Sequence, residues 1–180
     1  MSKKTVKVID KEFELFIPYA EIDKSIQSVA DKINSDYAHK KPLFVVILNG
    51  AFMFAADLFK KLTIDCEVSF VKLSSYQGTR TTEKVKKLIG LNESIQGRNI
   101  IIVEDIIDTG ITMEHLLDEL SIMKPHDIRI ATLLFKPEAF RKDFDIHYVG
   151  IEIPNDFILG YGLDYDGFAR NLPDIYKLIK

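Results

Sequence analysis

Apolar and polar residues alternate along the chain with periods that predict helices and strands in turn. Apolar residues recur three and four positions apart over 22–37, after Pro18, which indicates an amphipathic helix. The run LFVVIL at 43–48 is continuously apolar and ends at Asn49-Gly50, so it predicts a buried strand and then a tight turn. The stretch FMFAADLFKKL at 52–62 predicts a second helix.

The rest of the chain repeats this order of strands and helices. The further predicted elements are a strand over 66–70, an exposed loop over 74–84, a strand over 85–92, a buried strand over 100–103, a helix over 112–123 and a strand over 128–136. This order is typical of an α/β fold with a mainly parallel, twisted sheet flanked by helices. The tail has two short strand-like pieces split by Pro154 and an amphipathic end. We therefore expect a single domain over 1–180, with a small C-terminal hood lobe formed mainly by residues 150–180.

Composition and charge restrict the classes of function. The 180 residues are enough for one domain, and the formal net charge of −3 argues against a nucleic-acid binder that relies on a broad basic surface. Cys66 is the only cysteine, which excludes a disulfide framework and a cysteine-based metal site. No apolar run approaches the length of a membrane span, and the first residues lack the apolar core of a signal peptide. We expect a soluble, cytoplasmic protein with no nucleic-acid or membrane partner.

Three carboxylates follow a strand that reads as fully buried. The segment IIIVEDIIDTGIT at 100–112 places Glu104, Asp105 and Asp108 on a strand-to-helix turn. Carboxylates are costly to bury unless something pairs with them. Open α/β sheets bind their ligands at such turns, beyond the carboxyl ends of the strands. Backbone N–H groups at the start of the next helix, around 108–112, are suited to a phosphate, and the two leading carboxylates to sugar hydroxyls.

Other sites that use carboxylates fit the acidic turn less well. The tripeptide Asp108-Thr109-Gly110 also occurs in aspartic proteases, but those enzymes are β-rich and need two such loops, whereas this chain has one. The acidic residues lack the ligand spacing of a dedicated calcium or magnesium loop, and the chain contains no Gly-x-x-x-x-Gly-Lys-Ser/Thr phosphate loop. A solvated turn, in which Thr109 or Thr112 caps the next helix, stays open as the alternative.

The segment VEDIIDTGIT closely resembles the phosphoribosyl-diphosphate loop of type I phosphoribosyltransferases. Four further blocks occur in the order of that family and extend the resemblance over nearly the whole chain: LNGAFMFAADL, SFVKLSSYQG, LLFKP and IPNDFILGYGLDY. The chain is most similar to the purine enzymes of the family that act on hypoxanthine and guanine. The resemblance implies a purine salvage reaction in which the base displaces diphosphate from phosphoribosyl diphosphate, giving IMP or GMP.

The resemblance also implies roles for the acidic turn. Asp108 matches the general base that faces purine N7, and a carboxylate suits a proton that must be passed reversibly. Glu104 and Asp105 match the pair that binds the ribose 2′- and 3′-hydroxyls, where negative charge favours an oxocarbenium-like transition state. The residues that match the 5′-phosphate cradle are Thr109, Gly110 and Thr112.

Contacts with diphosphate and magnesium are implied in the same way. Leu48, Asn49 and Gly50 match a diphosphate-binding turn that in the family has a non-proline cis peptide between its first two residues. The family often has a basic residue where this chain has Asn49. Arg170 matches a residue that contacts diphosphate, and Asp164 a carboxylate reached by Mg²⁺ and its waters. The carboxylates expected around this Mg²⁺ cofactor are Glu104, Asp105 and Asp164.

The base and the lid complete the expected site. Lys136 ends a buried strand, where a lysine is unexpected unless it meets a ligand or a carboxylate, and it matches the lysine that donates to the purine 6-oxygen. Phe157 matches the ring that stacks on the purine, although the pattern alone favours a core aromatic, and Ile158 matches the residue whose backbone reads the base edge. Ser75 and Tyr76 match a lid that excludes water from the reacting sugar.

Two other functions stay open on this fold, because a fold alone does not settle function. One is a regulatory RNA-binding protein, which would need a basic face that the sequence does not show. The other is a phosphoribosyltransferase for another nucleobase, which Lys136 disfavours. The expected small-molecule partners are phosphoribosyl diphosphate and 6-oxopurine bases, and the expected assembly is a homodimer or homotetramer. The preference between hypoxanthine and guanine, and the use of xanthine, are left open.

Overall fold

The computed structural model describes residues 4–76 and 85–179, which form two sheets and three helices. In chain order the elements are β1 (Thr5–Val8), β2 (Lys11–Ile17), α1 (Tyr19–Asp36), β3 (Leu43–Leu48), α2 (Phe52–Phe59), β4 (Glu67–Tyr76), β5 (Val85–Ile89), β6 (Asn99–Ile107), α3 (Ile111–Ile122), β7 (Asp127–Phe135), β8 (Tyr148–Glu152), β9 (Ile158–Leu159) and β10 (Ile175–Leu178). No helix in these ranges is both long enough and apolar enough to cross a membrane.

The main sheet has the strand order β5-β4-β3-β6-β7-β8. Its neighbours pair in parallel except β4 and β5, which are antiparallel. Successive side chains of a strand point to opposite faces, so Phe44 and Val46 pack with α1 and α2, whereas Val45 and Ile47 pack with α3. The prediction of an α/β fold with a mainly parallel sheet flanked by helices is confirmed.

Most predicted elements occur where the apolar pattern placed them. Helix α1 begins after Pro18, whose fixed φ is tolerated there, and buries the predicted stripe from Ile22 to Ile33. Strand β6 continues past the predicted 100–103 to Ile107 and so includes the first two carboxylates of the acidic turn. The loop predicted from residue 74 begins later, because β4 continues to Tyr76 through backbone pairing with β5.

The second sheet has the order β1-β2-β10-β9, and its strands are all antiparallel. It joins the tail of the chain to a hairpin at residues 5–17 that the pattern analysis did not assign. Within the predicted hood range, residues 150–152 belong to β8 at the edge of the main sheet instead. Phe13 of β2 is fully buried and forms a small core cluster with Leu159 and Tyr176.

Candidate active site

The candidate site lies at the carboxyl ends of β3 and β6, which are parallel neighbours in the main sheet. Their shared direction brings the turn after Leu48 close to the acidic turn after Ile107. A central pocket of about 340 Å³ lies between these turns and the tail, and its lining residues are Ile47, Leu48, Gly50, Glu104, Asp105, Ile106, Thr112, Asp164 and Arg170. An adjoining turn pocket of about 110 Å³ is lined by Glu104, Ile106, Ile107, Asp108, Thr109, Gly110, Thr112 and Met113. The structure therefore brings together most of the residues predicted to bind phosphoribosyl diphosphate.

The turn pocket lies at the start of α3, where the chain reverses at Gly110. Gly110 has φ of 84°, a left-handed conformation that glycine adopts without strain. It also lies against the side chains of Phe140 and Lys142, which a Cβ atom at this position would overlap. The first turn of a helix presents backbone N–H groups that have no partner within the helix. This geometry fits the predicted phosphate cradle.

The two leading carboxylates are held by their own strand end. Glu104 is nearly buried, and its Oε1 accepts a hydrogen bond from the backbone N of Asp105 at 3.2 Å. The Oδ1 of Asp105 accepts one from the backbone N of Ile106 at 2.9 Å. Both carboxyl groups therefore remain at the floor of the central pocket, where sugar hydroxyls can donate to them.

The turn at 48–50 approaches this floor directly. The peptide bond between Leu48 and Asn49 is cis, as the resemblance implied. Gly50 faces the carboxylate of Asp105 so closely that a Cβ atom would overlap it. Glycine at position 50 lets the turn come this near without displacing the Asp105 carboxylate. The Asn49 side chain is not among the groups that line the pocket.

Asp108 and Lys136 form an ion pair at the rim of the turn pocket. The Nζ of Lys136 donates to Asp108 Oδ2 at 3.2 Å and to Asn155 Oδ1 at 3.4 Å. The lysine side chain is only 9% exposed, whereas that of Asp108 is 46% exposed. Lys136 was expected to meet a ligand or a carboxylate, and its partner is Asp108, a carboxylate of the candidate site. Asn155 is a residue that the sequence analysis missed, and no pattern marks it.

Phe157 is an exposed ring rather than the core aromatic that the pattern favoured. It is 47% exposed, with Phe13 at 6.2 Å and Tyr165 at 5.8 Å between ring centroids. Phe13 and Tyr165 contact part of the Phe157 ring, and the rest of the ring is open. Ile158 is buried in β9, where it pairs with Lys177. An exposed, laterally supported ring suits stacking on a planar base.

Asp164 and Arg170 are paired with each other across the tail. The Nη2 of Arg170 lies 2.6 Å from Asp164 Oδ1, and its Nη1 donates to the carbonyl of Gly162 at 2.6 Å. Gly167 donates its backbone N–H to the other oxygen of Asp164 at 2.7 Å. Both side chains line the central pocket, so a cation and a carboxylate face the acidic floor together.

Magnesium ligands and the lid are the remaining predicted parts. Within residues 4–76 and 85–179, no cluster of three or more histidine, cysteine, aspartate or glutamate side chains could hold a metal ion. Glu104, Asp105 and Asp164 nevertheless line one pocket, which fits Mg²⁺, an ion that binds to one or two carboxylates together with substrate phosphates. Ser75 and Tyr76 end β4, and residues 77–84 of the predicted lid lie outside the described residues.

Comparison with known proteins agrees with this geometry. Residues 18–166 match the family model of the phosphoribosyl transferase domain, and the chain belongs to this family. It is 36% identical over 170 residues to a hypoxanthine-guanine phosphoribosyltransferase of Aquifex aeolicus, covering 93% of this chain and 96% of the relative. It is 39% identical to that of Bacillus subtilis over 163 residues, covering 90% and 91%.

A solved structure supports the same placement. The hypoxanthine phosphoribosyltransferase of Staphylococcus aureus superposes with a TM-score of 0.85 at 34% identity, covering 92% of this chain and 91% of the other. The resemblance to the hypoxanthine-guanine branch of the phosphoribosyltransferases is therefore confirmed, and with it the type I fold.

Proposed function

We propose that the protein joins hypoxanthine or guanine to the phosphoribosyl group of phosphoribosyl diphosphate, releasing diphosphate and giving IMP or GMP. The observation that carries the proposal is the meeting of three groups around two joined pockets. These are the acidic floor, the helix start at Gly110 and the Asp164–Arg170 pair. The names of the relatives support the choice of purine.

The sugar is expected to lie on the acidic floor. Glu104 and Asp105 would accept hydrogen bonds from its 2′- and 3′-hydroxyls, and the turn at 109–112 would hold the 5′-phosphate. As the bond from C1 to diphosphate lengthens, positive charge develops on the ribose ring. Carboxylates fixed by backbone hydrogen bonds favour that charge without reorganising, because they are already oriented.

The departing diphosphate is expected to face Arg170 and the backbone of the 48–50 turn. Mg²⁺, when bound, neutralises diphosphate charge, and Glu104, Asp105 and Asp164 are the residues that would hold it. Arg170 would then exchange its contact with Asp164 for a phosphate oxygen, an acceptor that suits the fork of the guanidinium. The ion pair keeps the arginine oriented toward the pocket.

The purine is expected between Phe157 and the Asp108–Lys136 pair. Its N7 would face Asp108, which accepts or holds the proton there as the new bond to C1 forms. Its 6-oxygen would accept from the ammonium of Lys136, while Asn155 continues to hold that ammonium in place. Both partners of the ion pair thus become contacts of the same base.

No observation favours the alternatives of an RNA-binding regulator or of another nucleobase.

We also propose a homodimer or homotetramer. Val68 and Phe70 support it: they lie two residues apart on β4 and are 41% and 49% exposed, an apolar patch that a second copy could cover. Light scattering on the purified protein tests this proposal.

We propose a cytoplasmic location too, and Cys66, a free cysteine, is compatible with it.

A steady-state assay tests the proposed function. The protein is supplied with phosphoribosyl diphosphate, Mg²⁺ and, in turn, hypoxanthine, guanine, xanthine and adenine, and nucleotide formation is measured. We expect turnover of hypoxanthine, guanine or both. Absence of nucleotide with all four bases would overturn the proposal, and an electrophoretic shift with RNA would favour the regulator.

A further inference from the structure

A partly buried hydrogen bond joins the tail to helix α2, outside the lining of the central pocket. The hydroxyl of Tyr161, a residue that is 1% exposed, donates to Asp57 Oδ2 at 2.6 Å. The same oxygen accepts a longer hydrogen bond of 3.2 Å from the hydroxyl of Tyr19, and Lys60 lies 2.8 Å from the other oxygen. None of these residues lines the pocket, so the proposed reaction gives them no direct contact with substrate.

The protonation states of the pair suit a permanent hydrogen bond. Burial, together with the hydrogen bond to Asp57, raises the pKa of Tyr161 far above its ordinary value, so the phenol stays a donor. Burial would raise the pKa of Asp57, but hydrogen bonds from Lys60, Tyr161 and Tyr19 outweigh it and hold that pKa below its ordinary value. A charged acceptor and a neutral donor make one of the stronger hydrogen bonds.

The backbone around Tyr161 needs such an anchor. Gly160, Tyr161 and Gly162 have φ of 95°, 49° and 96°, three left-handed residues in succession. This conformation is unstrained for glycine but disfavoured for tyrosine, so the surroundings must hold it. The backbone N–H groups of Gly160, Tyr161 and Gly162 donate to the carbonyls of Leu163, Leu172 and Arg170 at 2.8–3.0 Å. These bonds hold the segment to the tail itself, and the Tyr161 side chain ties it to α2 through Asp57.

The next residue carries this anchor to the pocket. The α-carbon of Gly162 lies against the carbonyl of Gly50, and a Cβ atom at position 162 would overlap it. The carbonyl of Gly162 accepts the hydrogen bond from Arg170, whose other terminal nitrogen is paired with Asp164. Gly162, the residue after Tyr161, therefore sets the separation between the 48–50 turn and Arg170.

We propose that Asp57 and Tyr161 are positioning residues for the diphosphate end of the substrate. Their hydrogen bond holds residues 160–170 against the 48–50 turn, so that Arg170 and the backbone of the turn face the same phosphate groups. Asp57 is suited to this task because its helix, α2, begins two residues after Gly50. This inference rests on the proposed function for the identity of the substrate. The residues that it involves lie near the expected site of the diphosphate leaving group and not near that of the base.

The test compares two buried tyrosine hydroxyls that differ in their distance from the pocket. Tyr161→Phe removes the hydroxyl that binds Asp57. Tyr148→Phe is the matched control, because the hydroxyl of the buried Tyr148 donates to Asp36 Oδ2 at 2.7 Å, at the opposite end of the parallel strands. For both variants the midpoint of thermal unfolding, kcat and the KM of each substrate are measured. Binding of diphosphate with Mg²⁺ is measured separately by calorimetry.

We expect Tyr161→Phe to raise the KM for phosphoribosyl diphosphate and the Kd for diphosphate about tenfold, the scale of one lost hydrogen bond to a charged group. The KM for hypoxanthine should change less than about twofold. Asp57→Asn keeps an acceptor oxygen but loses the charge, so a smaller change in the same direction is expected. Tyr148→Phe should lower the unfolding midpoint without changing either KM.

Two results would overturn the inference: an unchanged Kd for diphosphate in Tyr161→Phe, or an equal increase in Tyr148→Phe. If the wild-type protein forms no nucleotide, the proposed function fails instead, and the calorimetric arm still decides whether Tyr161 positions a diphosphate site. If Tyr161→Phe does not fold, Asp57→Asn decides by the same two measurements.

Discussion

Replacement of Lys136 by methionine should weaken the selection of 6-oxopurines while preserving the shape of the site. Methionine has nearly the length of lysine but no charge and no hydrogen-bond donor. The Lys136 side chain is 9% exposed and has Asp108 and Asn155 as acceptors, so its ammonium is largely desolvated. A base that offers an acceptor at position 6 satisfies such an ammonium. Adenine points an amino group at it, so the ammonium faces a donor in place of the acceptor that a 6-oxopurine supplies.

The magnitude follows from the kind of hydrogen bond. A hydrogen bond to a charged group contributes about 1.5–3 kcal/mol, which corresponds to roughly 10- to 150-fold in kcat/KM. We therefore expect Lys136→Met to lower kcat/KM for hypoxanthine by roughly 10- to 150-fold. The variant should lower kcat/KM for adenine little, if at all. In the wild-type protein the discrimination between the two bases should reach about 10⁴-fold, the scale for a site whose buried polar group pairs with one substrate and opposes the other.

The assay is steady-state nucleotide formation with each base at saturating phosphoribosyl diphosphate and Mg²⁺. Lys61→Met is the matched control, because Lys61 is also partly buried, with a side chain 18% exposed, and lies 2.8 Å from Asp23, away from the pocket. The control should leave the ratio of kcat/KM values unchanged. Comparable wild-type values for adenine and hypoxanthine, or an unchanged preference in Lys136→Met, would refute the reasoning.

Four further outcomes are expected. Asp108→Asn should slow transfer roughly 10²- to 10⁴-fold, the scale of a lost general acid–base, while calorimetric binding of phosphoribosyl diphosphate changes less; an unchanged rate would remove Asp108 from the mechanism. Activity should require Mg²⁺, and full turnover in excess EDTA would contradict this. Gly50→Ala should weaken diphosphate binding, because the new Cβ overlaps the Asp105 carboxylate, and calorimetry with wild-type affinity would disprove that contact. A hydrogen bond from Lys4 lowers the pKa of Asp174, so the charged carboxylate stabilises the fold at pH values above its ordinary pKa, and this contribution is lost as the pH falls through the lowered pKa. The free energy of unfolding should therefore fall less between pH 5 and pH 3 in Asp174→Asn than in the wild type. Urea titrations at the two pH values measure the difference.

The parts of the fold that could be predicted are those in which one segment carries its own signal. Helix α1 shows its buried stripe in the spacing of its apolar residues, and β3 shows its burial as a continuous run. The acidic turn was recognisable because carboxylates directly after a buried strand need a partner. The N-terminal hairpin gave no comparable signal. Its strands have four and seven residues, and the strand that pairs with the second edge of β2 is β10, from the far end of the chain.

Within the site, the predicted residues are those that belong to a motif, and the missed ones act through distant contacts. Asn155 matters because its side chain reaches Lys136, and nothing in its neighbourhood in sequence indicates that. Asp57 and Tyr161 are 104 positions apart, so no local pattern relates them. Phe157 looked like a core residue because hydrophobicity alone does not tell which side of a ring its neighbours cover.

The strand order of the second sheet has a consequence for the newly made chain. β10 lies between β2 and β9, so the sheet cannot close until residue 178 has been synthesised. All strands of the main sheet precede residue 153, and their shorter separations allow that sheet to assemble earlier. Until the last strand pairs, the hairpin exposes the edge of β2, and Phe157 lacks the backbone bond that its carbonyl receives from Leu178. A ribosome that stalls near the end of the message would thus hold a chain whose acidic turn is formed and whose Phe157 ring is not yet fixed.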